Sequence, residues 1–293
     1  MTTPETDTAP ETDPAGPDPA GADAARAVRL AAPKRPPAIP GVPLDQRRAI
    51  VVGASSGIGA ALVRQLIREG YAVAALARRR EELDRLEDEA GILGDESGGR
   101  IVTRAHDVQD TGAVPDLFEE LVRELGGLDL LVYAAGVMPA NGEREYDTAK
   151  DLFTLAVNTG GCIAWCNPTA HLFTTQRSGT IVGVSSIAGD RGRKGFPVYC
   201  TSKAAMNTYL EALRNRLSEV GAHVCTIKPG YVATRMTEGM DGLFWVATPE
   251  EAAASILKAA RRRANTRYVK RRWWLVGTVI RSIPSFVFKR LSV

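Results

Sequence analysis

A serine, a tyrosine and a lysine gather in the second half of this chain: Ser186, then Tyr199 and Lys203 in the stretch VYCTSK at 198–203. Residues four apart share one face of a helix, so the phenol and the ammonium would lie one turn from each other. A free tyrosine has a pKa of about 10, too high for acid–base work near neutrality. A neighbouring cation favours the phenolate and draws that value toward the operating pH, where proton transfer is most effective. Ser186, at the end of an apolar run, would add a second donor to an oxygen gaining charge. Taken singly, the tyrosine is an aromatic at a helix start and the serine a hydroxyl at a strand end. What joins them must come from the elements that carry them.

Those elements alternate. Strand-like apolar runs at 47–53, 71–77, 100–108, 128–136, 179–186 and 222–230 are separated by helix-like stretches, such as 60–70 with Leu62, Leu66 and Ile67 at helical spacing. Strands apolar on both faces, alternating with helices, call for one α/β domain: a doubly wound, Rossmann-like parallel sheet covered on both sides. The first strand opens directly onto GASSGIG, Gly53 to Gly59, and then a helix. A strand, a glycine loop and a helix N-terminus turn backbone amides toward a bound anion, which suits a pyrophosphate. Gly53 would make the tight turn, Gly57 and Gly59 would admit close approach, and Ser55 would add a phosphate contact. The second strand runs into Arg78, Arg79 and Arg80, with no acid before Glu81. An acid there would grip a ribose 2′-hydroxyl, whereas arginine accommodates a 2′-phosphate, so NADP(H) is expected over NAD(H), with Arg78 as the contact. Arg79 and Arg80 read as the start of an exposed helix.

Charge and composition frame this core. From Ala252 to Val293 there are eleven Lys/Arg and no Asp/Glu, which leaves 26 basic residues against all 34 acids in the body of the chain. Residues 1–43 hold ten of the 17 prolines, and the first 25 residues carry six acids and no base. Such a segment buries too little apolar surface to offset its ordering entropy, so 1–46 is expected to be disordered. It lacks the basic start and apolar core of a secretory signal. The catalytic domain would span 47–250, with 251–293 a basic, aromatic extension of it. Four scattered cysteines and three distant histidines argue for reduced thiols in a cytoplasm, against a disulfide framework, and against a metal site. Cys162 and Cys166 read as buried thiols.

With its motifs in this order, the chain resembles the short-chain dehydrogenase/reductase family over about residues 47–250. The resemblance rests on GxxxGxG at 53–59, HDV at 106–108, YAAG at 133–136, VN at 157–158, SS at 185–186, YxxxK at 199–203 and PGYVAT at 229–234. It implies a cofactor site made by Gly53, Ser55, Ser56, Gly57, Ile58, Gly59 and Ala135, with Asp107 and Val108 at the adenine and Gly136 against the adenosine ribose. Pro229, Gly230, Val232 and Thr234 would lie at the nicotinamide end, Val232 and Thr234 meeting its carboxamide. It implies Tyr199 as acid/base, Ser186 on the substrate carbonyl, Lys203 on the nicotinamide ribose and Asn158 anchoring a water beside the lysine. Tyr133 and Ala134 stand where the family commonly has two asparagines bracing the central strand. The family also implies a homodimer or homotetramer, with Trp165 as an interface residue.

The last stretch, RRWWLVGTVIRSIPSFVFKRLSV (271–293), sets Trp273, Val276, Ile280 and Ile283 near one helical face before Pro284 breaks the pattern. It is too short and interrupted to span a bilayer. Two readings stand open: the segment lies on an anionic membrane surface, or it packs over the substrate cleft or a partner subunit. Together with SSIAGDRGRK and VYCTSKAA, its VIRSIPSFVFKRL is similar to the reductases of decaprenylphosphoryl 2-keto-pentose. The expected activity is interconversion of a ketone and a secondary alcohol, on a small or lipid-linked substrate read by loops at 137–147 and 234–247. The expected location is cytoplasmic with membrane association, and nothing points to nucleic acid. The rival is a non-catalytic dinucleotide-binding regulator or membrane-recruited scaffold, which leaves Ser186, Tyr199 and Lys203 unexplained.

Overall fold

The computed structural model describes residues 46–142 and 144–291. The segment expected to be disordered lies outside the described residues, apart from Gln46. Seven strands form one wholly parallel sheet: β1 (Arg48–Val52), β2 (Ala72–Ala77), β3 (Arg100–Ala105), β4 (Leu130–Tyr133), β5 (Thr180–Val184), β6 (His223–Lys228) and β7 (Thr266–Tyr268), in the order β3-β2-β1-β4-β5-β6-β7. Winding reverses between β1 and β4, and a crevice opens beyond their C-terminal ends, where such sheets bind ligands.

The sequence period explains the layers. Along β1, Ala49 and Val51 face α1 (Gly57–Arg68), while Ile50 and Val52 face the opposite side, because successive strand side chains alternate. The first core joins Leu62 and Leu66 of α1 to Leu83 and Leu86 of α2 (Arg80–Ser97) and Ile256 and Leu257 of α7 (Pro249–Arg261). The second joins Phe118 and Leu121 of α3 (Val114–Leu125) to Trp165 and Phe173 of α5 (Gly161–Gln176) and Leu210 of α6 (Pro197–Leu217). Between α4 (Thr148–Leu155) and α5 the chain makes a π-turn at Ala156–Gly160 that carries Asn158.

Three expectations need correction or completion. Trp165 is not an interface residue: it is fully buried, edge-on to His106 and Phe118. The seventh strand leaves no apolar run in the sequence, because it is only three residues long and its first residue is exposed. The C-terminal extension does pack over the crevice, but with one face only. In α8 (Arg272–Ser282) Trp273 is buried, and Val276, Gly277 and Ile280 line the crevice. Trp274, Leu275 and Val279, on the other side, are 53%, 58% and 62% exposed. A single turn, α9 (Ser285–Phe288), follows Pro284. Among the described residues, no helix is long and apolar enough to cross a membrane.

Candidate active site

The glycine loop is a cradle that side chains would fill. Gly53 has φ +93°, and a Cβ there would collide with the Ala135 backbone; a Cβ on Gly59 would collide with the Gly53 carbonyl. Gly57 has φ +53° and sits under the Thr234 methyl. The N-terminus of α1 therefore opens onto a cavity of about 800 Å³. The cavity takes in all the cofactor residues named from sequence except Asp107. That carboxylate is at the rim, 3.9 Å from Arg78 Nη1, and it accepts a hydrogen bond from the Gln109 amide. Arg79, read from sequence as merely exposed, donates to Ser55 Oγ at 2.8 Å and Ser56 Oγ at 3.0 Å. The signal that could have found it is the pairing of a basic residue after β2 with two serines in the loop.

At the far end of the crevice, two elements, β5 and α6, bring the chemistry-bearing side chains together. Ser186 follows β5, and its Oγ accepts from the Ala188 amide at 3.1 Å, which fixes the oxygen and leaves its hydrogen free to donate. Tyr199 and Lys203 project from the first turns of α6 into the same cavity, both buried. Burial pushes the Tyr199 phenol up, while the Ser186 hydroxyl and the Arg193 charge draw it back. Burial also lowers Lys203, to about 8. The lysine is turned toward the sheet: Nζ donates to the Val184 carbonyl at 3.0 Å and lies 5.8 Å from the Tyr199 ring centroid. In the protein alone, then, desolvation holds the phenol as a neutral acid, and the depression expected from Lys203 is not found: the groups that draw the phenol down are Ser186 and Arg193.

Asn158 lies outside the cavity wall, fully buried. Its amide donates to Val137 O and Ser202 Oγ, and its Oδ1 accepts from Val137 N at 2.8 Å. Both amide hydrogens are thus committed, and the residue ties β4's following loop to α6. A Cβ on Gly136 would stand 3.3 Å from Asn158 Oδ1 and 3.4 Å from Lys203 Nζ, so both groups border the same small space. Where the family's asparagines are missing, the Tyr133 hydroxyl donates to the Val157 carbonyl and braces the π-turn against β4.

The substrate end is walled by Trp273, Val276 and Ile280 of α8 with Met236, Met240 and Phe244. Trp273 packs on Gly230 and is ringed by Tyr231, Phe244 and Trp245. The helix is held in place by Arg191, whose guanidinium donates to the Ile280 carbonyl at 2.6 Å and to the Ile283 carbonyl, and stacks on Phe288. Cys162 and Cys166 are buried free thiols, as expected. Among the described residues, no three His, Cys, Asp or Glu side chains converge as a metal site would require.

The family model described as short chain dehydrogenase matches residues 47–241. The chain is a short-chain dehydrogenase/reductase. Over 194 residues it is 34% identical to an uncharacterized oxidoreductase of Myxococcus xanthus, covering 66% of this chain and 75% of that protein. It is 32% identical over 196 residues to a 3-oxoacyl-[acyl-carrier-protein] reductase of Bos taurus, covering 65% of this chain and 78% of the other. Among solved structures, that of ElxO with NADP bound superposes with a TM-score of 0.69 at 20% identity, covering 76% of this chain and 97% of that one. A short-chain dehydrogenase/reductase is an NAD(P)-dependent oxidoreductase, so the chain is an enzyme and the reading as a non-catalytic module falls. The glycine cradle and the two arginines at its mouth are the right shape and charge for a dinucleotide.

Proposed function

We propose that this enzyme reduces a ketone to a secondary alcohol, prefers NADPH, and takes a substrate with an apolar body from a membrane surface. The observation that carries the reading is the meeting of Ser186, Tyr199 and Lys203 in one cavity whose other wall is the apolar face of α8. When bound, the dinucleotide supplies the hydride. The protein handles the oxygen and the proton. Ser186 and Tyr199 both donate to the carbonyl oxygen, and their hold strengthens as that oxygen gains negative charge. The buried phenol, kept protonated, then gives its proton to the oxygen. Lys203 orients the ribose and returns a proton to the tyrosine, and a water bordered by Gly136, Asn158 and Lys203 resupplies it.

The preference for NADPH is supported by Arg79 and Arg78, which stand with Ser55 and Ser56 at the glycine loop. ElxO, whose structure contains NADP, shares the fold. An apolar substrate body, including a lipid-linked one, is supported by the aromatic and aliphatic wall that α8 contributes. Pairing of two copies through α5 and α6 is part of the same proposal, by kinship with the family.

The test is NADPH consumption by the purified enzyme, offered a membrane-lipid extract and a soluble-metabolite extract separately. Turnover on the lipid fraction is expected, falling about 10²–10⁴-fold in Tyr199→Phe while NADPH binding changes little. Turnover on the soluble fraction alone would reject the membrane source. An undiminished rate in Tyr199→Phe would remove that residue from the chemistry.

A further inference from the structure

The substrate end of the cavity holds one cation that the fold leaves without employment. The basic side chains around it are otherwise engaged: Arg191 on the carbonyls closing α8, Arg235 on Glu82 at 2.8 Å, and Lys228 on Asp190 at 2.5 Å. Asp190, an acid on the cavity wall, has a buried side chain that is doubly taken, since the Tyr268 hydroxyl donates to its second oxygen at 2.7 Å. Arg193 has no such partner. Among the described residues its side chain makes no hydrogen bond and no ion pair, its Nε is shut off from solvent without an acceptor, and its guanidinium carbon stands 6.0 Å from the centroid of the Phe196 ring. A guanidinium carries five donors in a planar fork, and leaving one of them dry and unpaired costs free energy unless a ligand completes it.

We propose that Arg193 is the anion-recognition residue of this site, binding a carboxylate or phosphate on the substrate near its reacting carbonyl. The chemistry selects the ligand: a planar fork pairs in bidentate fashion with either oxyanion, and among the described residues no carboxylate pairs with it. The apolar wall of α8 would receive the rest of the molecule, so the substrate is an amphiphile whose charged end lies beside Tyr199. The nearness of that charge to the phenol also appears in its pull on Tyr199. This inference rests on the reductase reading above and narrows its substrate class to anionic ketones.

The experiment uses the full chain with NADP(H) and three matched probes: a medium-chain 4-oxo fatty acid, its methyl ester, and an oxoalkyl phosphate of the same length. Binding is followed by tryptophan fluorescence, since Trp273 lines the cavity, and turnover by NADPH oxidation. The expected result is that an anionic probe binds about ten- to a hundredfold more tightly than the ester. In Arg193→Gln that ratio should fall to near one, and Arg193→Lys should restore part of it. Preference for the carboxylate or for the phosphate tells which oxyanion the fork reads. An ester bound as tightly as the acid, equal weakening of all probes in Arg193→Gln, or no binding of any probe would overturn the proposal. Anion-selective, Arg193-dependent binding without turnover would uphold Arg193 and count instead against the reductase reading.

Discussion

The proposed preference for NADPH turns on a single side chain, Arg79. Three arginines in a row follow β2, and from sequence the first was the natural choice for a 2′-phosphate. The geometry favours the second: Arg79 reaches both loop serines, while Arg78 leans toward Asp107 at 3.9 Å. Both hydroxyls can donate to a phosphate that the guanidinium also binds, so removing Arg79 should weaken three contacts at once. Arg79→Ala is expected to raise KM for NADPH about tenfold or more, with KM for NADH changed by less than about threefold. Arg78→Ala should have the smaller effect. Steady-state kinetics with both dinucleotides checks this, and equal losses for the two would make Arg79 a general phosphate contact. The residues proposed to carry the chemistry could be singled out in the sequence because their identities and spacing are unusual in combination, and the fold brings Ser186, Tyr199 and Lys203 to one cavity. Arg193 was not, since an arginine in a loop acquires meaning only from what surrounds it, and a sequence does not state that its neighbours are already paired.

At the scale of elements, the strands and the first helices were readable because burial on both faces imposes an apolar composition that few other structures need. The run AVAALA of β2 is buried at every position. By contrast, the seventh strand and the seat of α8 depend on long-range pairing that leaves little local trace. The 3₁₀ turn after β5, Ile187–Asp190, is the fastening. Asp190 accepts from Lys228 of β6 and Tyr268 of β7, and a Cβ on Gly277 of α8 would stand only 2.6 Å from its Oδ2. Only glycine lets the helix approach so closely. Asp190→Ala would leave a buried ammonium and a hydroxyl unpaired, at a cost on the order of 3 kcal/mol. Urea denaturation should register that loss, and trypsin should cut first in the basic segment after residue 261. Asp190→Asn keeps a partner for Tyr268 and should fall between the two. Unchanged proteolysis in Asp190→Ala would mean that Arg191 alone secures the helix.

At the scale of the whole molecule, charge and apolar surface point the same way. The body carries all the acids, and the last 42 residues carry eleven bases and no acid. Near an anionic surface such a molecule would be turned tail-first, with its acidic body repelled. On that side Trp274, Leu275, Val279 and Phe286 are exposed, and Arg271, Arg272, Lys289 and Arg290 stand exposed around them. The other face of α8 is the wall of the substrate cavity, so a bilayer meeting the outer face would bring a lipid-borne ketone to the mouth of the site. Cosedimentation with vesicles is therefore expected when they contain anionic lipid and to be slight when they are neutral. Binding should weaken as salt rises, since each basic residue near the surface contributes about 1 kcal/mol that ions screen. The double substitution Trp274→Glu with Val279→Glu should reduce binding at least about tenfold, yet leave turnover of a water-soluble ketone within about twofold, because neither residue lines the cavity. Equal binding of the double variant would move the contact elsewhere on the chain. Equal binding to neutral vesicles would remove the charge from the argument and leave an apolar patch that seeks another partner.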